Sequence, residues 1–105
     1  MELSILKQNK NAKKAEKNKR AAELLKVMGN HFRVAIIDLL AQYKQMSVKD
    51  IHKTLKLQQP IVSHHLNTLK NKGVLSSERV GKKTYYSVRH ANIIAAINLI
   101  LKVEN

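Results

Sequence analysis

The stretch between Gln58 and Lys72 constrains the fold most, because a proline and a glycine mark the two ends of a helix there. Pro60, the only proline of the chain, stands at the start. Its ring presets the backbone angle of a first helical turn, where its missing N–H costs nothing. Gly73 comes directly after the last polar residues, as glycine often does where a helix ends. The sequence therefore predicts one well-bounded helix over residues 60–72.

A second, shorter helix is predicted just before it. Ser47 is followed three residues later by Asp50, which resembles a capping box with aspartate in place of glutamate. The helix that opens there carries Val48, Ile51 and Leu55 on one side. A short helix, a tight turn and a second helix form the helix-turn-helix arrangement, which places its second helix in the major groove of DNA.

The longer helix has two different faces. Val62, Leu66 and Leu69 recur at helical spacing and predict a stripe that faces the core. His65 lies at the edge of this stripe, where packing or a hydrogen bond at the end of the core is the better interpretation. The remaining face contains no acid, which suits a surface close to phosphates. We predict DNA contacts from this face and from the helix start, by Gln58, Gln59, Ser63, His64, Asn67, Thr68 and Asn71.

A β-hairpin is predicted next. β-branched and aromatic residues in the runs 74–80 and 84–88 surround a glycine turn. Arg79, Lys82 and Lys83 crowd this turn, and we predict that they contact phosphates, which positions a protein on DNA without reading sequence.

The N-terminal part is less determined. Residues 1–20 are rich in Lys and Asn and predict a basic helix or a frayed basic arm, and both remain open. Residues 21–105 are predicted to form the DNA-binding and dimerisation domain. Within it a helix ends at Gly29, and another begins at about His31 with Asn30 as its N-cap.

The last segment, residues 91–102, is apolar nearly all round and must be buried all round. A second copy of the chain is the simplest cover for the flank that its own domain leaves open, which predicts a two-fold dimer and a roughly palindromic operator. On this basis Ile97→Asp is expected to abolish dimerisation. The predicted dimerisation residues are Ile93, Ile94, Ile97, Ile100 and Leu101.

Charge and composition narrow the function. The 20 Lys and Arg outnumber the 7 Asp and Glu, and the net charge of +13 predicts a polyanionic partner, most simply double-stranded DNA.

The absence of cysteine excludes disulfides, thiolate metal sites and cysteine nucleophiles. No stretch is apolar enough for a membrane span, so a cytoplasmic location is expected. No catalytic residue is assigned. Ser63 and His64 are adjacent on a helix and point about 100° apart, so they form no dyad.

Several runs of this chain resemble those of ArsR/SmtB-type repressors. They are the segments 24–29 and 32–37, the block Gln59-Pro60-Ile61-Val62-Ser63-His64-His65-Leu66 with Leu69 and 73–75, and the hairpin run 81–86. The resemblance covers about residues 20–102. It implies a dimeric winged helix-turn-helix repressor, mainly α with a small β-hairpin wing, in the order α-α-α-α-β-β-α and dimeric through its terminal helices.

The metal sites of that family are not matched here. One uses Cys-x-Cys on the short helix, where this chain has Val48-Lys49-Asp50-Ile51-His52. The other uses an Asp-x-His at the start of the last helix and a second pair about three turns later. Only His90 stands near the first position, Leu101 follows eleven residues later, and Glu104 is a lone acid. No metal and no cofactor are therefore predicted, and an unidentified small-molecule inducer stays open.

The sequence thus predicts a homodimeric, sequence-specific transcriptional regulator, most simply a repressor, with residues 60–72 in the major groove and the wing 75–88 on the backbone. The alternative is a basic protein that binds DNA or RNA without sequence preference.

Overall fold

The computed structural model describes residues 2–103, with side chains from residue 10 onward. It contains the four helices, the hairpin and the last helix in the predicted order, and it adds one short strand. The elements are α1 Glu2–Met28, α2 His31–Tyr43, β1 Met46–Ser47, α3 Val48–Leu55, α4 Gln59–Asn71, β2 Leu75–Val80, β3 Lys83–Val88 and α5 Ala91–Leu101.

The added strand β1 makes the wing a three-stranded antiparallel sheet in the order β1-β3-β2. Met46 is paired with Tyr86, and Ser47 with Tyr85, so the start of α3 is tied to the wing. Two residues are too few to show a period of two, which is why the sequence did not indicate this strand.

The predicted cap of α3 is present. The backbone N–H of Asp50 donates to Ser47 Oγ at 3.2 Å, and Ser47 itself is buried. The chain then turns at Lys56, whose φ of 56° lies in the left-handed region that costs a non-glycine residue energy. Its backbone N–H reaches the carbonyls of His52 and Lys53, and α4 begins three residues later, at Gln59. The turn between the two helices is therefore short and defined.

One core holds the helix-turn-helix to the rest of the chain. Val62, Leu66 and Leu69 of α4 are fully buried, which confirms the predicted stripe. They belong to a cluster drawn from all five helices and both hairpin strands: Met28, Ile36, Ile37, Leu39, Leu40, Ile51, Val62, Leu66, Leu69, Val74, Leu75, Tyr86, Ile93 and Ile97.

Helix α1 extends well beyond this core. It is one unbroken helix of 27 residues, about 40 Å long. Among its residues 10–28, the C-terminal turns pack on the domain through Leu24, Val27 and Met28, whereas every residue from 10 to 23 is exposed. The division of the chain at residue 20 stays a prediction.

Helix α5 presents one face to the core and leaves the other open. Ile93 and Ile97 are buried, whereas Leu99, Ile100 and Leu101 are exposed. Within residues 2–103 no helix is long and apolar enough to cross a membrane.

Candidate nucleic-acid interface

The polar face of α4 points away from the core. His64, Asn67 and Asn71 are exposed, and Ser63 and Thr68 are half-buried at its flanks. The Thr68 hydroxyl donates its hydrogen to the His64 carbonyl at 3.1 Å. The Thr68 oxygen can therefore still accept a hydrogen bond from another group. The structure thus brings together, on one outward surface, these five predicted contact residues of α4, whereas the sixth, Gln59, lies at the start of the helix.

The basic tip of the wing is a second outward surface. Arg79, Lys82 and Lys83 are exposed around Gly81, whose φ of 63° requires a residue that tolerates the left-handed region. Arg79 Nε donates to the Gly81 carbonyl at 3.3 Å and thereby restrains the turn. The three cations therefore lie together on the hairpin tip.

A groove joins these two surfaces. It has a volume of ≈ 310 Å³ and lies between the start of α3, the start of α4 and the wing. Gln59 of α4 and both wing lysines, Lys82 and Lys83, line it, together with Lys49 of α3. Gln58 is exposed beside it as the N-cap of α4 and makes no side-chain capping bond. The groove thus has three lysines around a helix start, which suits a phosphate.

Lys49 is the groove residue that the sequence interpretation missed. It is exposed in the first turn of α3, and a lysine there is disfavoured because the N-terminal end of a helix carries partial positive charge. This unfavourable placement of a positive charge at the start of a helix was the sequence feature that could have pointed to Lys49 as a ligand-binding residue. An anion bound in the groove would offset it.

His65 links α4 to the rest of the domain. It is 8% exposed, and its Nδ1 accepts a hydrogen bond from Arg33 Nε at 3.1 Å. Arg33 also donates through Nη1 to the Val27 carbonyl of α1 at 3.0 Å. The prediction of a packed, hydrogen-bonded role for His65 is therefore confirmed, and one arginine connects α1 and α4.

This arrangement predicts a pH effect on stability. Burial lowers the pKa of the His65 imidazole below its usual value of 6.5, and the charge of Arg33 adds to the effect, as do His64 and His31. The folded chain therefore binds fewer protons here than the unfolded chain, so the free energy of unfolding falls as the pH drops below about 6.5. We expect His65→Asn, which keeps an acceptor near Nδ1, to lose less stability than the wild type between about pH 7 and pH 5 in denaturant unfolding. An unchanged pH profile would contradict this role.

The predicted dimerisation residues fall into two groups. Ile93 and Ile97 pack into the core of their own chain, and Ile94 is half-buried. Ile100 and Leu101 are exposed and line an apolar cavity of ≈ 250 Å³ between α1, α2 and α5. Leu25 of α1, which the sequence interpretation did not select, lines the same cavity and is 59% exposed.

The residues present do not fit the metal sites of the resembled family. No group of three or more His, Asp or Glu side chains that could hold a metal ion occurs in the part of the chain that the structure describes. His90 is the N-cap of α5 and makes no side-chain capping bond. Glu104 lies outside the described residues.

Related sequences point to one class of protein. Residues 32–77 match the family described as "Bacterial regulatory protein, arsR family". An uncharacterized HTH-type transcriptional regulator of Methanocaldococcus jannaschii is 36% identical over 85 residues, which cover 81% of this chain and 96% of the relative. The transcriptional repressor PagR of Bacillus anthracis is 36% identical over 83 residues, which cover 79% of this chain and 83% of PagR.

Solved structures show the same fold. The crystal structure of PagR matches with a TM-score of 0.76 at 35% identity, covering 82% of this chain and 98% of PagR. A homodimeric winged helix-turn-helix DNA-binding domain from Mycobacterium bovis, of a possible ArsR-family transcriptional regulator, also matches with a TM-score of 0.76, at 27% identity, covering 84% of this chain and 81% of that domain.

Proposed function

This chain belongs to the arsR family of bacterial regulatory proteins, and from that premise we propose that it is a sequence-specific transcriptional repressor that binds a palindromic operator as a homodimer. The repressor function is supported by relatives named as transcriptional repressors, among them PagR and the SdpR protein of Bacillus subtilis.

One observation carries the proposal: α4 has a fully buried stripe on one side and an acid-free polar face on the other. The buried stripe fixes the orientation of the helix, and the polar face offers His64, Asn67 and Asn71 to base edges. The wing tip flanks this face, as does the groove between α3, α4 and the wing. Both supply phosphate contacts, which set the register of the helix on DNA.

The dimer is supported by the apolar surface that α1 and α5 leave open. Leu25, Ile100 and Leu101 are each more than half exposed around one apolar cavity. A second copy, related by a two-fold axis, would cover this surface with its own equivalent residues. Such a dimer presents two α4 helices to half-sites about 34 Å apart.

Base-reading and phosphate-binding residues are expected to respond differently to substitution. His64→Ala or Asn67→Ala should cost about 1–3 kcal/mol of binding free energy and relax specificity at one base position. Lys82→Ala should weaken binding to all duplexes alike and should reduce the slope of log K against log salt concentration by about one. Binding titrations on the operator and on single-base variants, at several salt concentrations, separate the two effects. Equal, salt-insensitive losses at all three positions would contradict this assignment.

Selection of bound duplexes from a random pool tests the function itself. We expect enrichment of one inverted repeat with half-sites one helical turn apart. A repeat of the selection with candidate small molecules would reveal an inducer as a loss of that enrichment. A pool that stays random would overturn the proposal in favour of sequence-independent binding.

A further inference from the structure

Four lysines form a row on the N-terminal part of α1. Lys10, Lys13, Lys14 and Lys17 follow the spacing i, i+3, i+4 and i+7, which places them on one face of the helix. All four are exposed and together line one shallow space on the helix surface. We call these four residues the lysine face.

The lysine face is unfavourable for the helix by itself. Like charges three or four residues apart destabilise an isolated helix by about 0.2–0.5 kcal/mol a pair. Residues 10–22 contain a single acid, Glu16, and none of them is buried in the domain. A pattern that costs helix stability and adds nothing to the core is expected at a functional surface.

The direction of the lysine face follows from the helix period. Leu24 lies seven residues after Lys17, and Met28 eleven residues after it, so the same stripe turns from lysine to apolar where α1 reaches the domain. At that point α1 contacts α4. Arg20 and Glu23 of α1 and Lys72 after α4 line one small cavity at this junction. The lysine face therefore lies on the same side of α1 as the residues that pack where α1 meets α4.

We propose that the lysine face binds phosphates of the operator duplex beyond those reached by α4 and the wing. This inference rests on the proposed function. The lysines read no sequence; they widen the contact with the backbone and add to the salt dependence of binding. Duplex DNA fits better than a lipid surface, because the only apolar residues among 10–22 are alanines, and an interfacial helix needs a large apolar face.

The test compares two double variants of equal charge. Lys13→Gln with Lys17→Gln removes two members of the lysine face. Lys19→Gln with Lys26→Gln removes two exposed lysines from the opposite side of the same helix. Glutamine forms helices about as well as lysine, so both variants are expected to fold, which circular dichroism checks.

Each variant is measured on the selected operator duplex by hydroxyl-radical footprinting and by titration at several salt concentrations. We expect the first variant to protect less of the backbone than the wild type does and to reduce the slope of log K against log salt by about 0.9 for each phosphate that is no longer neutralised. The control should keep the wild-type footprint and slope. Equal slopes for the two variants, or an unchanged footprint for the first, would overturn the inference. Failure of the proposed function differs from both, because the wild type itself would then give no site-specific footprint.

Discussion

Replacing Ile100 with aspartate is expected to turn the dimer into a monomer and to weaken operator binding by about 10²- to 10⁴-fold. Ile100 is 56% exposed and lines the apolar cavity with Leu25 and Leu101. A charge at this position would be solvated in the monomer and would be buried in the proposed dimer. Each subunit would then bind one half-site alone, without the avidity of two linked recognition helices. Analytical ultracentrifugation and operator titration measure the two effects.

Asn98→Asp is the matched control, since it adds the same charge at an exposed polar position of the same helix. It should leave the dimer intact. An Ile100→Asp protein that sediments as a dimer would contradict the proposed interface. Ile97→Asp, the test suggested by the sequence, is unsuitable because Ile97 is 3% exposed and its charge would be buried in its own core.

Leu66→Ala is expected to lower the free energy of unfolding by about 2–5 kcal/mol. Leu66 is fully buried and holds α4 to the core between Val62 and Leu69. Removing its side chain leaves a cavity that the neighbouring helices fill only in part. Denaturant unfolding at one fixed protein concentration measures the loss, because the stability of a dimer depends on concentration.

His64→Ala, two residues earlier on the same helix, is the control. His64 is exposed, so its replacement should change the free energy of unfolding by no more than about 0.5 kcal/mol while it weakens DNA binding. A large stability loss at His64, or a negligible one at Leu66, would show that the two faces of α4 are assigned wrongly.

Much of the fold could be predicted because local signals agreed. Pro60 lies in the first turn of α4, and Gly73 follows the end of that helix. Ser47 caps α3. The buried side of α4 is marked by the periodic apolar residues Val62, Leu66 and Leu69. The same periodicity, applied to the opposite side of the helix, selected the polar residues that we propose to contact DNA. These features depend on residues that lie close together along the chain, so the sequence alone displays them.

Residues distant in the chain supplied what the sequence could not display. Strand β1 exists only because β3, which lies far along the chain, pairs with it, and the same pairing brings the start of α3, with Lys49, to the wing. Arg33 and His65 are 32 positions apart and meet only in the folded chain.

Helical period and end signals are local properties of the chain, so they were enough to predict α4, its two faces and the apolar character of α5. Which apolar residues of α5 pack into the core of their own chain and which stay exposed depends on the folded structure. Ile97 and Ile100 are both isoleucine, and only the packing of α5 against α2 and β3 buries the first and leaves the second exposed.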